Sequence, residues 1–224
     1  MTSDAVSVEP AQGPPPAEGV EQLTTVFSTE LIRWDRRVLE PRPWTVAQSE
    51  WVAELAATAS PGPILELCCG AGHMGIVAAK TSGRELVQMD LDPVACDYAR
   101  LNAAHAGVAS EVVQGDFRAV EPLAPTYPLV LADPPWVPRE EVGQFPEDPL
   151  LAIDGGPDGT DLAVACVAHA ARVLLPGGHL VLQVGPVDQL AALEAHPDVT
   201  SGALSVVGAR EFDRGMLVHF TAAE

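Results

Sequence analysis

Apolar positions along the chain switch between the short unbroken runs of a buried strand and the three-to-four spacing of an amphipathic helix. Thr45-Val46-Ala47-Gln48 has the T-x-x-Q form of a capping box, and Trp51, Val52, Leu55 and Ala56 continue it at helical spacing until Pro61-Gly62-Pro63. Ile64–Leu67 then reads as a strand, Cys68–Gly72 as a loop and His73–Lys80 as a helix. The alternation repeats in strand Glu85–Met89, helix Pro93–Ala106, strand Glu111–Gln114 and strand Leu129–Ala132. A Pro-rich loop follows, then helix Leu162–Leu174, a turn at Pro176-Gly177-Gly178 and strand His179–Val184. Helix Val187–Ala195 and strands near Ser205–Gly208 and Met216–Thr221 read as an antiparallel addition. Strands alternating with helices predict an α/β fold: a parallel sheet covered by helices on both faces.

The first part of the chain patterns differently. Residues 1–20 carry Pro10, Pro14, Pro15 and Pro16 with three acids and no base, a composition that predicts a disordered tail. Residues 21–44 read as an N-terminal extension, either a short helix or a hairpin, and the β-branched and aromatic residues of 23–40 favour strands. Residues 45–224 make the main domain.

Composition narrows the class. Of 224 residues, 47% are hydrophobic and 19% charged, as in a globular protein. No run approaches the ~20 apolar residues of a membrane span, and Met1-Thr2-Ser3-Asp4 has neither the basic nor the apolar part of a secretory signal. Four cysteines make no disulfide framework and fit a reducing cytoplasm. The net charge of −19 repels phosphate backbones, which disfavours nucleic acid as the partner.

Two motifs carry chemistry. Gly70-Ala71-Gly72-His73-Met74-Gly75 matches G-x-G-x-x-G between a strand and a helix, with the acid Asp90 about 20 residues on. That pattern fits NAD and S-adenosylmethionine (SAM) equally. Three features favour SAM. Glu66, four residues before Gly70, suits the ammonium of a methionine moiety, directly or through water, and not a pyrophosphate. Asp90-Leu91-Asp92-Pro93 opens the next helix in the D-x-x-P form common in SAM enzymes, although Asp92 at a helix start is also an ordinary cap. Gly115-Asp116-Phe117 follows the next strand, where a carboxylate can accept from an adenine amino group while an apolar ring covers the base. Glu66, Gly70, Gly72, Asp90, Leu91, Asp116 and Phe117 are therefore the candidate cofactor contacts.

The second motif is Asp133-Pro134-Pro135-Trp136, at the carboxyl end of a strand, where open α/β sheets bind ligands. A planar amide or exocyclic amine is a poor nucleophile because its lone pair is delocalised. Hydrogen bonds from its N–H groups to Asp133 and the Pro134 carbonyl would steer that lone pair towards a methyl group. Pro134 and Pro135 stiffen the loop and offer no competing N–H. Trp136 can stack on a flat acceptor.

Taken with Glu40-Pro41-Arg42-Pro43-Trp44-Thr45, the loop Glu66–Gly75, Asp90, Asp116 and the segment Pro149–Asp161 (PLLAIDGGPDGTD), these motifs resemble the HemK-like release-factor glutamine methyltransferases, of the class I SAM-dependent methyltransferases. The resemblance covers residues 38–221. It implies a Rossmann-like seven-stranded, mostly parallel sheet with the last strand antiparallel, SAM as cofactor with S-adenosylhomocysteine as product, and methylation of a planar nitrogen. The family also has an N-terminal helical domain that helps dock the release factor, whereas only about 37 residues precede the match here. Its motif usually reads Asn-Pro-Pro-Tyr. An Asn amide both accepts and donates, whereas ionised Asp133 only accepts, so an amine without an adjacent carbonyl loses nothing here. Residues 133–161 hold eight acids and one base, Arg139, which favours a cationic or neutral acceptor. A small-molecule or amine-type acceptor therefore ranks ahead of protein glutamine, with nucleic-acid amino groups third. The rival of another class is an NAD(P)-dependent oxidoreductase.

Cys68 and Cys69 are adjacent and read as packing residues, as do Cys96 and Cys166 on helices. The histidines show no ligand spacing, so no metal is expected; His73 is the one placed where it could touch the cofactor.

Overall fold

The structure, a computed structural model, describes residues 19–119 and 126–224. The tail expected over residues 1–20 lies outside these, apart from its last two positions.

The chain opens with an antiparallel hairpin, β1 (Leu23–Phe27) and β2 (Glu30–Trp34), as the β-branched content predicts. Then come α1 (Val46–Ala56), β3 (Ile64–Leu67), α2 (His73–Ser82), β4 (Leu86–Asp90), α3 (Pro93–Ala106), β5 (Ser110–Gln114) and β6 (Tyr127–Ala132). The short α4 (Leu150–Ile153) precedes α5 (Asp161–Val173), β7 (Leu174–Val184), α6 (Asp188–Glu194), α7 (Pro197–Thr200), β8 (Leu204–Phe212) and β9 (Gly215–Ala222). Seven strands form one sheet in the order β5-β4-β3-β6-β7-β9-β8. Its pairings are parallel from β5 to β7, and β9 runs antiparallel to both β7 and β8.

The strands alternate their side chains between two cores. On one face Ile64, Leu129, Leu131 and Val181 pack with α1, α2 and α3. On the other, Leu65, Leu67, Val130, Ala132 and Leu182 pack with α5 and Phe117. The N-terminal hairpin joins the first core through Phe27, Ile32 and Trp34. Asn102 of α3 fixes it there: its Oδ1 accepts from the Arg33 N–H at 2.9 Å, and its Nδ2 donates to the carbonyls of Arg33 and Ala71, both at 2.9 Å. One buried side chain thus ties the hairpin to α3 and to the glycine loop.

Helix boundaries follow local chemistry. Asp92 caps α3, accepting from the Val94 N–H at 2.8 Å, with Pro93 in the first turn, and Gly107 ends the helix in the left-handed region at φ 69°. Two expectations fail. The capping box at Thr45 does not form: Thr45 Oγ1 donates back to the Arg42 carbonyl, and Gln48 turns inward to the carbonyls of Ala132 in β6 and Val181 in β7. The turn expected at Pro176-Gly177-Gly178 is a bulge inside a continuous β7, where the register against β6 jumps from Tyr127↔Leu174 to Leu129↔His179. Gly177, at φ 67°, donates to the Ala223 carbonyl, and a Cβ at Gly178 would press on the carbonyls of Leu175 and Pro128. Among the described residues no helix is long and apolar enough to cross a membrane.

Candidate active site

The glycine loop leaves β3 through Cys68, held in the left-handed region at φ 57°, and Gly70 at φ 52°. A non-glycine residue there costs about 1–2 kcal/mol, so the sharp turn is enforced by its surroundings. The Asp90 carboxylate provides one restraint: Oδ2 accepts from the Gly70 N–H at 2.8 Å and Oδ1 from the Asp92 N–H at 2.9 Å. Burial pushes the Asp90 carboxyl up, against these N–H groups, which hold it down.

A first cavity of about 260 Å³ opens beside this loop, with Gly70, Asp90, Leu91, Asp116 and Phe117 among its walls. Five of the seven expected cofactor contacts therefore meet here. The other two, Glu66 and Gly72, do not reach the wall. Glu66 points to the α2 side of the sheet and is fully buried. Its Oε1 accepts from the Gly75 N–H at 3.0 Å and its Oε2 from Gln88 Nε2 at 2.6 Å, while Gln88 also donates to the Gly72 carbonyl. Burial pushes its carboxyl up to about 8. Gly72 is required for packing: at φ 81°, a Cβ would lie 2.7 Å from Gln88 Nε2 and 3.0 Å from Ala99.

Asp116 lies on the wall but is already paired, since Arg118 grips its carboxylate through Nε and Nη2 at 2.8 and 2.7 Å and holds it below the usual carboxylate range. Phe117 is buried, edge-on to His169. His73 also lines the cavity; burial pushes its imidazole down to about 3, so it is neutral, packed edge-on against Phe27.

Asp133 lies on the wall of this cavity and of a second, larger one of about 550 Å³. Pro135 faces the first; Pro134 and Trp136 face the second. Burial pushes the Asp133 carboxyl up to about 7, and no hydrogen bond or ion pair engages it among the described residues. Two glutamines absent from the motif brace the segment at both ends. Gln48 Nε2 donates to the Ala132 carbonyl at 2.8 Å, and Gln189 Nε2 donates to the Trp136 carbonyl at 2.9 Å while its Oε1 accepts from the Gly185 N–H. No local pattern marks either residue. Gln189→Leu is expected to lower kcat about tenfold, with roughly 1–2 kcal/mol of stability lost through the orphaned backbone groups. Steady-state rates beside urea melts check this, and an unaltered kcat would remove Gln189 from the site.

The segment after the motif folds back over it. The Val137 N–H donates to the Ile153 carbonyl and the Gly155 N–H to the Val137 carbonyl, and a Cβ on Gly159 would collide with the Trp136 carbonyl. Its acids are partly compensated, Asp154 by Arg139 and Asp148 by Arg42. Among the described residues no group of His, Cys, Asp and Glu could hold a metal ion.

Comparison with known proteins agrees with this architecture. Residues 64–145 match the family model described as a methyltransferase domain. The release factor glutamine methyltransferase of Deinococcus radiodurans is 34% identical over 185 residues, covering 74% of this chain and 64% of that protein. The 4-amino-L-phenylalanine/4-methylamino-L-phenylalanine methyltransferase of Streptomyces pristinaespiralis is 34% identical over 169 residues, 70% of this chain and 57% of that one. The ribosomal protein L11 methylase of Lactobacillus delbrueckii superposes with a TM-score of 0.61 at 13% identity, over 82% of this chain and 81% of that one. The fold is that of the class I methyltransferases, and the family model places a methyltransferase domain over residues 64–145. The chain is similar to the release factor glutamine methyltransferases and spans 54 to 64% of the length of those it matches.

Proposed function

We propose that the protein is a SAM-dependent N-methyltransferase acting on a small-molecule, amine-type acceptor. The observation that carries this reading is Asp133, an unpaired, half-buried carboxyl forming a wall common to two cavities.

The first cavity suits SAM better than NAD. A dinucleotide site needs free N–H groups at the start of the helix to hold pyrophosphate. Here the Gly75 N–H is taken by Glu66 and the Gly70 N–H by Asp90, both carboxyl groups. The wall also carries Asp90, Asp92 and Asp133, while its arginines Arg37, Arg118 and Arg139 are each paired with another aspartate, Asp35, Asp116 and Asp154. Such a wall complements a cation. When bound, SAM supplies an electrophilic methyl group on a positively charged sulfur. Asp90 and the Gly70 turn would hold its ribose and Phe117 would cover its adenine; Glu66 supports the turn from behind.

In the second cavity Asp133 and the Pro134 carbonyl accept N–H bonds from the acceptor, and Trp136 offers a face to stack on. Orientation and exclusion of water supply the acceleration, with no strong base required. Above about pH 7, where Asp133 is ionised, it can accept two N–H groups but cannot donate to an amide oxygen. That chemistry, and the aromatic amine acceptor named for the Streptomyces relative, favour an amine. The release-factor relatives support protein glutamine as the second reading.

Labelled methyl from SAM, offered to extract of the source cells and fractionated, tests the proposal. Label in small molecules, absent with Asp133→Ala, supports it. Label confined to protein establishes the glutamine reading, and binding of NADH without SAM overturns both.

The pH profile is a further expected outcome. Burial pushes Asp133 up to about 7, and only its ionised form presents two charged oxygens with no O–H of its own, so kcat should fall below about pH 7 and level off above it. Asp133→Asn should abolish that limb. A limb that persists in the variant assigns the titration to another group.

A further inference from the structure

We propose that Arg214, at the turn between β8 and β9, binds a carboxylate on the acceptor, which makes the acceptor a small amino-acid-like zwitterion carrying a planar nitrogen. This inference rests on the methyltransferase reading and names the substrate class of the same site.

The second cavity is of small-molecule size. Two arginines stand in its wall. Arg42 is consumed: its Nη2 lies 2.6 and 2.8 Å from the two oxygens of Asp148, itself nearly buried. Arg214 has no such partner, and no ion pair or hydrogen bond engages its side chain among the described residues. Its guanidinium lies 5.1 Å from the centre of the Trp44 ring, which also faces Arg42 at 5.8 Å. An aromatic face holds a guanidinium in place without using its N–H donors, so the fork remains available to a carboxylate.

The turn that carries Arg214 is anchored. Gly215 has φ 112°, and any Cβ there would collide with the Val184 carbonyl and crowd Gln183 Nε2. The turn therefore packs directly onto the end of β7, with Phe212, Asp213 and Arg214 contributing to the cavity wall. Glu147, Glu211 and Asp213 stand in the same wall, and none forms an ion pair among the described residues. The cavity thus presents an unpaired guanidinium together with unpaired carboxylates. Its complement bears both an anionic and a cationic group, besides a nitrogen for Asp133 and a flat surface for Trp136. A free amino acid with an aromatic amine meets all four requirements, whereas a glutamine within a protein chain has no carboxylate or ammonium on its own backbone.

Two probes test this: 4-amino-L-phenylalanine, which has the carboxylate, and 2-(4-aminophenyl)ethylamine, which lacks only that group. The wild type, Arg214→Gln and Arg214→Lys are assayed with each, and SAM binding is measured by calorimetry on the same samples. The expected result is a wild-type preference for the carboxylate-bearing probe, expressed in KM, that falls about tenfold or more in Arg214→Gln and partly returns in Arg214→Lys. A preference that survives Arg214→Gln, or an equal loss on both probes, overturns the anchor and leaves the small-molecule reading standing. A wild type that binds SAM and methylates neither probe, but labels protein, overturns the acceptor class and the anchor together.

Discussion

Asp133→Ala is expected to reduce kcat about 100- to 1,000-fold while the dissociation constant for SAM stays within about threefold, the pattern of a group that acts on the reacting nitrogen and not on the cofactor. The expectation follows from position. Asp133 touches both cavities, but the polar contacts that shape the first lie elsewhere, at Gly70, Asp90 and Asp92. On the proposed reading, removing the carboxyl takes away the acceptor that orients the nitrogen and leaves the glycine loop intact. Asp133→Asn should be informative in a different way, since the amide restores an acceptor and adds a donor. It should raise activity on amides relative to amines. Calorimetry with SAM beside single-turnover rates decides the point; a variant that turns over like the wild type, or one that loses SAM binding in proportion to rate, sinks the assignment.

Glu66→Ala carries the second large effect, and it falls on stability. The variant orphans the Gly75 N–H and one of the two Gln88 Nε2 donors, the other keeping the Gly72 carbonyl, and opens a void in a site with no solvent access. Together these cost about 3–5 kcal/mol. The pH dependence has a definite sign. Burial pushes the Glu66 carboxyl from its ordinary 4.5 up to about 8, so across that window the folded protein binds a proton that the unfolded chain releases. Stability therefore declines as pH rises through the window, and the variant should lose that decline. Urea melts at about pH 5.5 and pH 8 measure both effects. An unchanged midpoint with SAM affinity lost would show Glu66 to be a cofactor ligand after all, as its place in the sequence suggests.

Much of this was legible in the residue pattern because it is local. The alternation from β3 to β6 rests on short apolar runs bounded by turns, and the glycine loop and Asp133–Trp136 are contiguous motifs. The unread parts depend on distant partners. Gln48 satisfies the spacing of a capping box, yet its amide is worth more against the carbonyls of Ala132 and Val181, which the sequence does not place beside it. Gly177 and Gly178 look like a turn because nothing nearby reveals that β6 and Ala223 will hold them in a strand. The second cavity gathers Trp44, Phe145, Gln183 and Arg214 from four separate stretches, so its chemistry emerges only when the chain is folded.

The buried amide of Asn102 has a practical meaning for anyone who dissects this chain. A fragment cut at residue 45, where the sequence pattern sets the start of the main domain, would lose Phe27, Ile32 and Trp34 from the core that also contains Ala71 and Met74. It would also lose the Arg33 backbone from Asn102, which would keep only its bond to Ala71. The damage from such a cut would be registered at the glycine loop, far along the chain from the missing residues. Any transplant of this domain onto another protein must therefore carry its hairpin with it.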